Sequence, residues 1–208
     1  MGTEHSSDVK IGAKTAHPAQ WILASSSPRR RELLERIGVN FRVLTAHTEE
    51  ISSFTHPAEV VQDLAMQKAK AVQTFEPNGF IIASDTVVAL GGEILGKPVD
   101  VLENRAMLEQ LSGRVHTVYT GIALLTPTQH KVDFDATQVQ FRKLSSLEMD
   151  WYASSGEGLD KAGGYGIQEK GMLLISRIEG DFFNVMGLPT VRLLELARAL
   201  DLELVPGL

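Results

Sequence analysis

Two short apolar runs predict the buried strands around which this chain is organised. They are Trp21–Ala24 and Phe80–Ala83, and continuous apolar runs of this length are typical of strands that are buried on both faces. The first run stops at Ser25–Ser27 and the second at Ser84–Thr86. The polar residues that follow each run are the first places to look for functional side chains.

A helix is predicted directly after the three serines. Leu33, Leu34 and Ile37 recur at helical spacing, which indicates one apolar face. Ser27 can cap this helix, and Pro28 fits its first turn because the missing N–H is not needed there. The segment therefore predicts a buried strand that turns through serines into a helix.

The start of this helix is a candidate phosphate site. Its unpaired N–H groups lie at the positive end of the helix dipole, beside the hydroxyl of Ser25 and the guanidinium groups of Arg29 and Arg30. Such groups are well suited to bind phosphate. An ordinary capped helix with solvated arginines is the alternative, and the turn alone leaves it open.

A second candidate is Asp85, whose carboxylate stands between the apolar runs Phe80–Ala83 and Val87–Leu90. Burying a carboxylate is costly unless a hydrogen bond, a cation or a metal ion compensates its charge. We predict a functional aspartate at the end of its strand, with a structural, hydrogen-bonded aspartate as the alternative.

The segment Gly91–Lys97 imitates the spacing of a nucleotide-binding P-loop, but we reject that interpretation. The next residue is Pro98, which has neither the hydroxyl that should hold magnesium nor an N–H for phosphate. The paired glycines predict a hairpin turn instead. Lys97 remains a candidate to contact phosphate as a point charge.

The rest of the pattern alternates between helices and strands without internal repeats. Helices are predicted at 57–75 and 100–111, after a capping box at Ser145–Glu148 and from Gly187 onward; strands are predicted at 41–44, 115–125, 132–141, 172–178 and 181–185. This alternation favours the α/β class, as a mixed twisted sheet with helices on both faces.

Composition excludes several classes of protein. The 208 residues suit one domain, predicted over 21–208 after a flexible polar tail over 1–20. A net charge of −6 argues against a nucleic-acid-binding protein. Absence of cysteine excludes disulfides and thiolate chemistry. No apolar run is long enough to span a membrane, and the histidines lack metal-ligand spacing.

A glycine-rich segment at 154–168 is the third candidate region. Glycine allows a backbone to approach a ligand closely, although a flexible connector has the same composition. The neighbours Asp160 and Lys161 and the polar Gln168 favour the ligand-binding interpretation.

Taken together, the motifs resemble those of the Maf family of nucleoside triphosphate pyrophosphatases. The chain has, in the family's order, ASSSPRR, ASDTVV, LGKP, LSGRVHTVYTG, SGEGLDKAGGYGIQ and FNVMGLP. The resemblance covers nearly the whole predicted domain. It implies a fold similar to the inosine triphosphate pyrophosphatases, with two lobes and a cleft between them. It also implies hydrolysis between the α- and β-phosphates, with a divalent metal ion, Mg²⁺ or Mn²⁺.

The resemblance implies a role for individual residues. It implies catalysis by Asp85, base choice by Arg29, Thr86 and Gln168, phosphate contacts from Ser25, Arg30, Lys68 and Lys97, and metal ligation by Glu50 and Asp85. Thr86 follows the motif aspartate, Asp85. A threonine at this position resembles the branch of the family that prefers dTTP and UTP. Gly158 stands where the family usually has proline.

The expected protein is therefore a cytoplasmic dTTP and UTP pyrophosphatase that binds neither nucleic acid nor membranes. The resemblance also implies a homodimer. Three alternatives stay open at this point. They are a 7-methyl-GTP pyrophosphatase of the same family, a non-catalytic nucleotide-binding regulator of cell division, and an α/β hydrolase acting on another substrate.

Overall fold

The computed structural model describes residues 20–47 and 49–207, so nearly all of the tail predicted at 1–20 lies outside the described residues. The strands are β1 (Trp21–Leu23), β2 (Phe41–Val43), β3 (Phe80–Leu90), β4 (Glu93–Leu95), β5 (Val115–Leu125), β6 (His130–Phe141) and β7 (Ile175–Glu179). The helices are α1 (Pro28–Arg36), α2 (Pro57–Gln73), α3 (Val101–Leu111), α4 (Ser146–Ser154), α5 (Phe182–Met186) and α6 (Thr190–Arg198).

The strands form one mixed sheet, as the sequence predicted, and this sheet has seven strands. The order is β2-β1-β3-β5-β6-β7, and β4 pairs with the far end of β3. β1 is parallel to both β2 and β3, whereas the other pairings are antiparallel. Helix α2 packs on one face of the sheet, and α1 and α6 pack on the other.

Three large apolar cores and one smaller cluster pack against the sheet. Two of them lie on opposite faces of β1 and β3, against α2 on one side and against α1 and α6 on the other. A third lies under α3 and α4, where Leu108, Tyr152 and Phe141 are fully buried. Alternate side chains of one strand point to opposite faces, so β3 contributes to all three cores.

A gap beside β3 determines where the site lies. β1 pairs with β3 only as far as Ile82, and β4 begins to pair with it at Val88. Between these points, no strand of the described residues pairs with that edge of β3. Open α/β sheets bind ligands beyond the carboxyl ends of their parallel strands, and β1 ends beside this gap.

The position of Asp85 in its strand differs from the prediction. Asp85 was expected at the end of a strand, but β3 runs without interruption from Phe80 to Leu90, and Asp85 pairs with Gly121 of β5. The polar residues in β3 therefore mark the end of the neighbouring strand β1, not the end of β3 itself.

Gly121 allows helix α2 to lie directly on the sheet at this level. A Cβ atom added at residue 121 would lie 2.2 Å from the carbonyl oxygen of Val61. Any larger residue would push α2 away from β3. This close contact holds the cleft-facing side of α2 beside Asp85.

The C-terminal third contains the other differences from the predictions. The predicted strand at 181–185 is helix α5, which begins after the capping Asp181 and ends at Gly187 in the left-handed region. The predicted strand at 172–178 is a 3₁₀ turn at Lys170–Leu173 followed by β7. No helix of the described residues is long and apolar enough to cross a membrane.

Candidate active site

A cleft of about 560 Å³ opens at the gap beside β3. Residues of α1, α2, β3, the β4 turn and the glycine-rich segment line it. Among them are eight of the nine residues singled out from the sequence: Ser25, Arg29, Arg30, Glu50, Lys68, Asp85, Thr86 and Lys97. The fold therefore brings together side chains that are up to 72 positions apart, from Ser25 to Lys97.

Gln168 is the one predicted site residue that does not line this cleft. It is half-buried, and its neighbour Ile167 does line the cleft. Its predicted part in base choice stays a prediction.

One side of the cleft is a cluster of opposite charges. The Lys68 ammonium lies 2.5 Å from Asp85 Oδ1 and 3.1 Å from Glu50 Oε1. Asp85 is only 6% exposed, so Lys68 supplies the compensating cation that a buried carboxylate needs. One ammonium and two carboxylates leave a surplus of one negative charge in this cluster.

The other side of the cleft holds Arg30 among neutral oxygen atoms. Its Nε donates to the carbonyl of Gly187 at 2.8 Å, one Nη donates to Ser25 Oγ at 3.1 Å, and the other donates to Thr86 Oγ1 at 3.0 Å. These acceptors orient the guanidinium without cancelling its charge. Burial lowers the pKa of Arg30 from its ordinary value, and the nearby charge of Asp85 opposes that shift.

Arg30 keeps donors for a ligand. A guanidinium carries five N–H donors in a planar fork, and three of them bind Gly187, Ser25 and Thr86. The remaining two have no partner among the described residues. Because phosphate oxygens suit this planar arrangement, the fixed guanidinium can contact a phosphate without moving.

The turn into α1 agrees with the predicted strand–helix motif, with one difference. Ser27 stands at the N-cap and Pro28 at the first helical position, but the Ser27 side chain makes no capping hydrogen bond. The Ser27 N–H instead donates to Ser25 Oγ at 3.2 Å. Ser25 therefore links the turn to Arg30.

The glycine-rich segment at 154–168 also lines the cleft. Gly163 adopts a φ of 70°, and a Cβ atom there would lie 2.8 Å from the Val88 side chain. Asp160 lies 3.9 Å from Arg29 at the rim, and its carboxylate also contacts Lys161 at 2.6 Å. The segment is thus packed against β3 and is not a flexible connector.

Three buried polar residues lie under Arg30, and of these only Ser84 belongs to a segment that the sequence marked as a candidate. Ser84, Thr120 and Asn184 are fully buried. Their signal was present in the sequence, because a polar residue inside an apolar segment needs a hydrogen-bond partner when buried. We applied that argument only to Asp85, whose charge makes it more conspicuous.

Tyr165 was also missed, and it connects the cleft to a buried histidine. Tyr165 lines the cleft, and its hydroxyl lies 2.6 Å from Nε2 of His116. His116 is 2% exposed, and burial lowers its pKa to about 4. The imidazole is therefore neutral at pH 7.

Glu50 and Asp85 can hold a divalent cation together. Both carboxylates contact the same ammonium group, which shows that their oxygen atoms converge on one position for a positive charge. No group of three or more metal-binding side chains occurs in the described parts of the chain. Two carboxylates nevertheless suit Mg²⁺, which commonly takes its other ligands from water and substrate phosphates.

Comparison with known proteins shows which family this sequence matches. A family profile described as "Maf-like protein" matches residues 20–200. A dTTP/UTP pyrophosphatase of Deinococcus radiodurans is 50% identical over 177 residues, which cover 85% of this chain and 91% of that protein. A dTTP/UTP pyrophosphatase of Thermus thermophilus is 49% identical over 175 residues, covering 84% and 91% of the two chains.

Solved structures agree with the fold. A HAM1 protein from Coxiella burnetii matches with a TM-score of 0.51 over 86% of this chain and 98% of that chain, at 14% identity. That likeness concerns the fold alone, whereas the profile and the relatives cover the sequence itself. On that evidence, the chain belongs to the Maf family.

Proposed function

We propose that this protein hydrolyses dTTP and UTP to the nucleoside monophosphate and pyrophosphate. Relatives named dTTP/UTP pyrophosphatase, at up to 50% identity over most of both chains, support this activity. The observation that carries the proposal is that Arg30 and Lys97 line the same cleft as the ion pair formed by Lys68 and Asp85.

The charges of the cleft suit a nucleoside triphosphate. Arg30 has no carboxylate partner among its hydrogen bonds, so its charge is available to the phosphate chain. Lys97 lines the same cleft and adds a second cation. Phosphoryl chemistry depends chiefly on positioning and electrostatic stabilisation, and these side chains provide both.

Asp85 is the group that acts on the attacking water. Its carboxylate is buried in the cleft and forms an ion pair with Lys68, with 2.5 Å between Asp85 Oδ1 and Lys68 Nζ. When a triphosphate enters, Lys68 can pair with phosphate oxygens, and Asp85 is released to accept a proton from water. A positioned base of this kind contributes about 10²–10⁴ in rate.

Glu50 and Asp85 are the residues that would hold a divalent metal ion, Mg²⁺ or Mn²⁺. When bound, such an ion neutralises phosphate charge and makes water more acidic. The surplus negative charge of the cluster formed by these two residues and Lys68 favours a cation there. Glu50 is half-exposed, which leaves it able to rearrange as the ligand arrives.

Base choice is assigned to Arg29, Thr86 and Gln168 by the family resemblance alone. Arg29 lies at the rim of the cleft near Asp160, a position where it can contact the base or sugar. Gln168 can donate and accept hydrogen bonds, which suits the imide edge of uracil or thymine.

We also propose that the protein is cytoplasmic and forms a homodimer, again from the family resemblance.

A substrate panel tests the proposal. The protein is incubated with Mg²⁺ and with dTTP, UTP or 7-methyl-GTP, and pyrophosphate release is measured. We expect release from dTTP and UTP at rates well above that from 7-methyl-GTP. Preference for 7-methyl-GTP would assign the other branch of the family. Binding of nucleotide with no release from any of the three would leave the regulator as the function and contradict our proposal.

A further inference from the structure

The hydroxyl groups beneath Arg30 form a hydrogen-bond chain with a fixed direction. Thr120 Oγ1 lies 2.9 Å from the carbonyl oxygen of Asn184, which can only accept a hydrogen bond. A hydroxyl has one hydrogen, so Thr120 donates it to that carbonyl. In the contact of 3.0 Å between Thr86 Oγ1 and Thr120 Oγ1, Thr86 must then be the donor.

This assignment also determines what Thr86 receives. Arg30 Nη2 donates to Thr86 Oγ1 at 3.0 Å, since a guanidinium has no acceptor. Protons therefore point the same way from Arg30 through Thr86 and Thr120 to the backbone of Asn184. Hydrogen bonds arranged head to tail polarise and strengthen one another.

The direction of the chain bears on base choice. The only hydrogen of the Thr86 hydroxyl is donated to Thr120, so Thr86 cannot donate to a carbonyl of the base. Its oxygen already accepts from Arg30. A threonine that is satisfied in this way acts on the substrate through the guanidinium that it holds.

The far end of the chain is anchored in the protein interior. Thr120 and Asn184 are both fully buried. The Asn184 amide donates to the carbonyl of Val118 at 3.0 Å and to Thr137 Oγ1 at 2.9 Å. These bonds tie α5 to β5 and β6, so the final acceptor of the chain cannot shift without breaking them.

A second anchor fixes the other edge of the guanidinium. The carbonyl of Gly187 accepts from Arg30 Nε at 2.8 Å and from the buried Ser84 Oγ at 3.0 Å. Ser84 and Thr86 are alternate residues of β3 and therefore point to the same face. One strand thus sets the position of Arg30 through two separate contacts.

We propose that Thr86 and Thr120 are positioning residues that aim Arg30 at the phosphate chain, and that Thr86 does not read the base through its hydroxyl. This proposal deepens the function proposed above and rests on its assignment of Arg30 to phosphate. Thr120 thereby gains a role in substrate binding although it does not line the cleft.

Binding of a ligand without a base separates the two roles of Thr86. Inorganic tripolyphosphate with Mg²⁺ is titrated calorimetrically into the wild type, Thr86→Val and Thr120→Val. We expect both variants to bind it about tenfold more weakly, the effect of losing one bond to a charged group. A threonine that read the base would leave tripolyphosphate affinity unchanged in Thr86→Val and alter only the preference among nucleotides.

Matched variants guard against general loss of structure. Thr117→Val removes a hydroxyl from the same strand, β5, at a half-buried position on the opposite face, and should bind as the wild type does. Thr120→Ser keeps the hydroxyl and should restore binding to within about twofold. A double variant, Thr86→Val with Thr120→Val, should be no weaker than either single variant, because residues in one chain are not additive.

An NMR measurement tests the inference without any ligand. The Nη–H signals of Arg30 are identified by their loss in Arg30→Lys, and their exchange with water is measured because Nη2 donates to Thr86. We expect slow exchange in the wild type and in Thr117→Val, and at least tenfold faster exchange in Thr120→Val. Unchanged exchange in Thr120→Val, together with unchanged tripolyphosphate affinity, would overturn the inference.

This pair of readouts also separates the inference from the proposed function. A wild type that releases no pyrophosphate from dTTP or UTP contradicts the function alone. A fully active wild type whose Thr86→Val and Thr120→Val variants bind tripolyphosphate normally contradicts the inference alone.

Discussion

The two faces of β3 surround a charged side chain with opposite kinds of partner. On the α2 face, Asp85 pairs with Lys68 at 2.5 Å, and Glu50 joins them from the loop after β2. On the other face, Arg30 binds only neutral oxygen atoms. Both faces reach the same cleft because β3 has no strand beside it at this level among the described residues.

This difference between ion-paired and neutral partners indicates which groups can change partners during a reaction. Lys68 neutralises carboxylates, and the cluster keeps a negative surplus, so a phosphate or a metal ion can replace one pairing with another. The charge of Arg30 is oriented but not neutralised, so we expect it to attract phosphate and to stay in place. We therefore propose that the α2 face carries out the chemistry and that the other face holds the substrate.

The largest expected effect comes from removing the charge on the α2 face. Asp85→Asn preserves the volume of the side chain but removes the base, so kcat for pyrophosphate release from dTTP should fall at least about a hundredfold. The variant should still fold, because Lys68 keeps Glu50 as a partner. Steady-state kinetics and circular dichroism provide the measurements.

Asp150→Asn is the matched control for that variant. Asp150 pairs with Arg105 at 2.7 Å on the exposed side of α4, away from the cleft, and its loss should leave kcat unchanged. Near-normal turnover in Asp85→Asn would remove Asp85 from the role that we give it.

A smaller effect is expected from disturbing the fixed guanidinium. Gly187 has a φ of 102°, and a Cβ atom there would lie 3.2 Å from Thr86 Oγ1 and 3.3 Å from Arg30 Nε. Gly187→Ala should displace Arg30 and raise KM for dTTP about tenfold, the effect of weakening one charged hydrogen bond.

Gly92→Ala separates backbone strain from this contact. Gly92 has a similar φ of 93°, but an added Cβ would meet nothing within 4 Å. Both variants should lose about 1–2 kcal/mol of stability from the left-handed conformation, measured by urea unfolding. Equal changes of KM in the two variants would show that Arg30 is not involved.

The stability of the protein should also decrease in acid, because of the buried His116. An unfolded histidine titrates near pH 6.5, whereas burial lowers the pKa of His116 to about 4. Between these values the unfolded chain binds a proton that the folded protein does not, so the free energy of unfolding falls as the pH decreases.

His116→Gln tests this acid sensitivity. The amide can still bind the Tyr165 hydroxyl but does not titrate. From pH 7 to pH 5, the free energy of unfolding should decrease by about 2 kcal/mol less in this variant than in the wild type. Parallel decreases in urea unfolding would contradict a neutral buried imidazole, whatever the stability that the variant loses at pH 7.

The smallest effect is expected at the rim. Asp160 lies 3.9 Å from Arg29, and its side chain is 67% exposed. Exposed ion pairs contribute about 0–1 kcal/mol, so Asp160→Asn should change stability by less than about 1 kcal/mol and KM by less than about threefold. A larger rise in KM would show that the rim holds the substrate as firmly as Arg30 does.

The long elements of this fold and its short N-terminal strands could be predicted from the sequence, whereas the short elements at 170–186 could not. Helix α2 has enough turns to display its periodicity, and the capping box at Ser145 and Glu148 is present as predicted. Helix α5 has five residues, too few to distinguish a helix from a strand by periodicity. Its boundaries depend on a capping aspartate and on Gly187.

The site was predictable where a residue carries charge. Asp85 could be singled out because an ionised group inside an apolar segment requires an explanation, whereas Lys68 was assigned to the site by the family resemblance alone. Thr120 and Asn184 carry no charge, and their importance depends on contacts across 34 and 64 positions, to Thr86 and between each other. Such pairings follow from strand register, which local patterns do not reveal.

Single-turnover cleavage of dTTP by Asp85→Asn and by Thr120→Val, followed over a range of enzyme concentrations, tests the division of roles most directly. We predict that Asp85→Asn binds dTTP within about threefold of the wild type but cleaves it at least about a hundredfold more slowly. Thr120→Val should bind about tenfold more weakly and, once saturated, cleave within about threefold of the wild-type rate. Loss of binding and of cleavage in the same proportion in both variants would contradict the account.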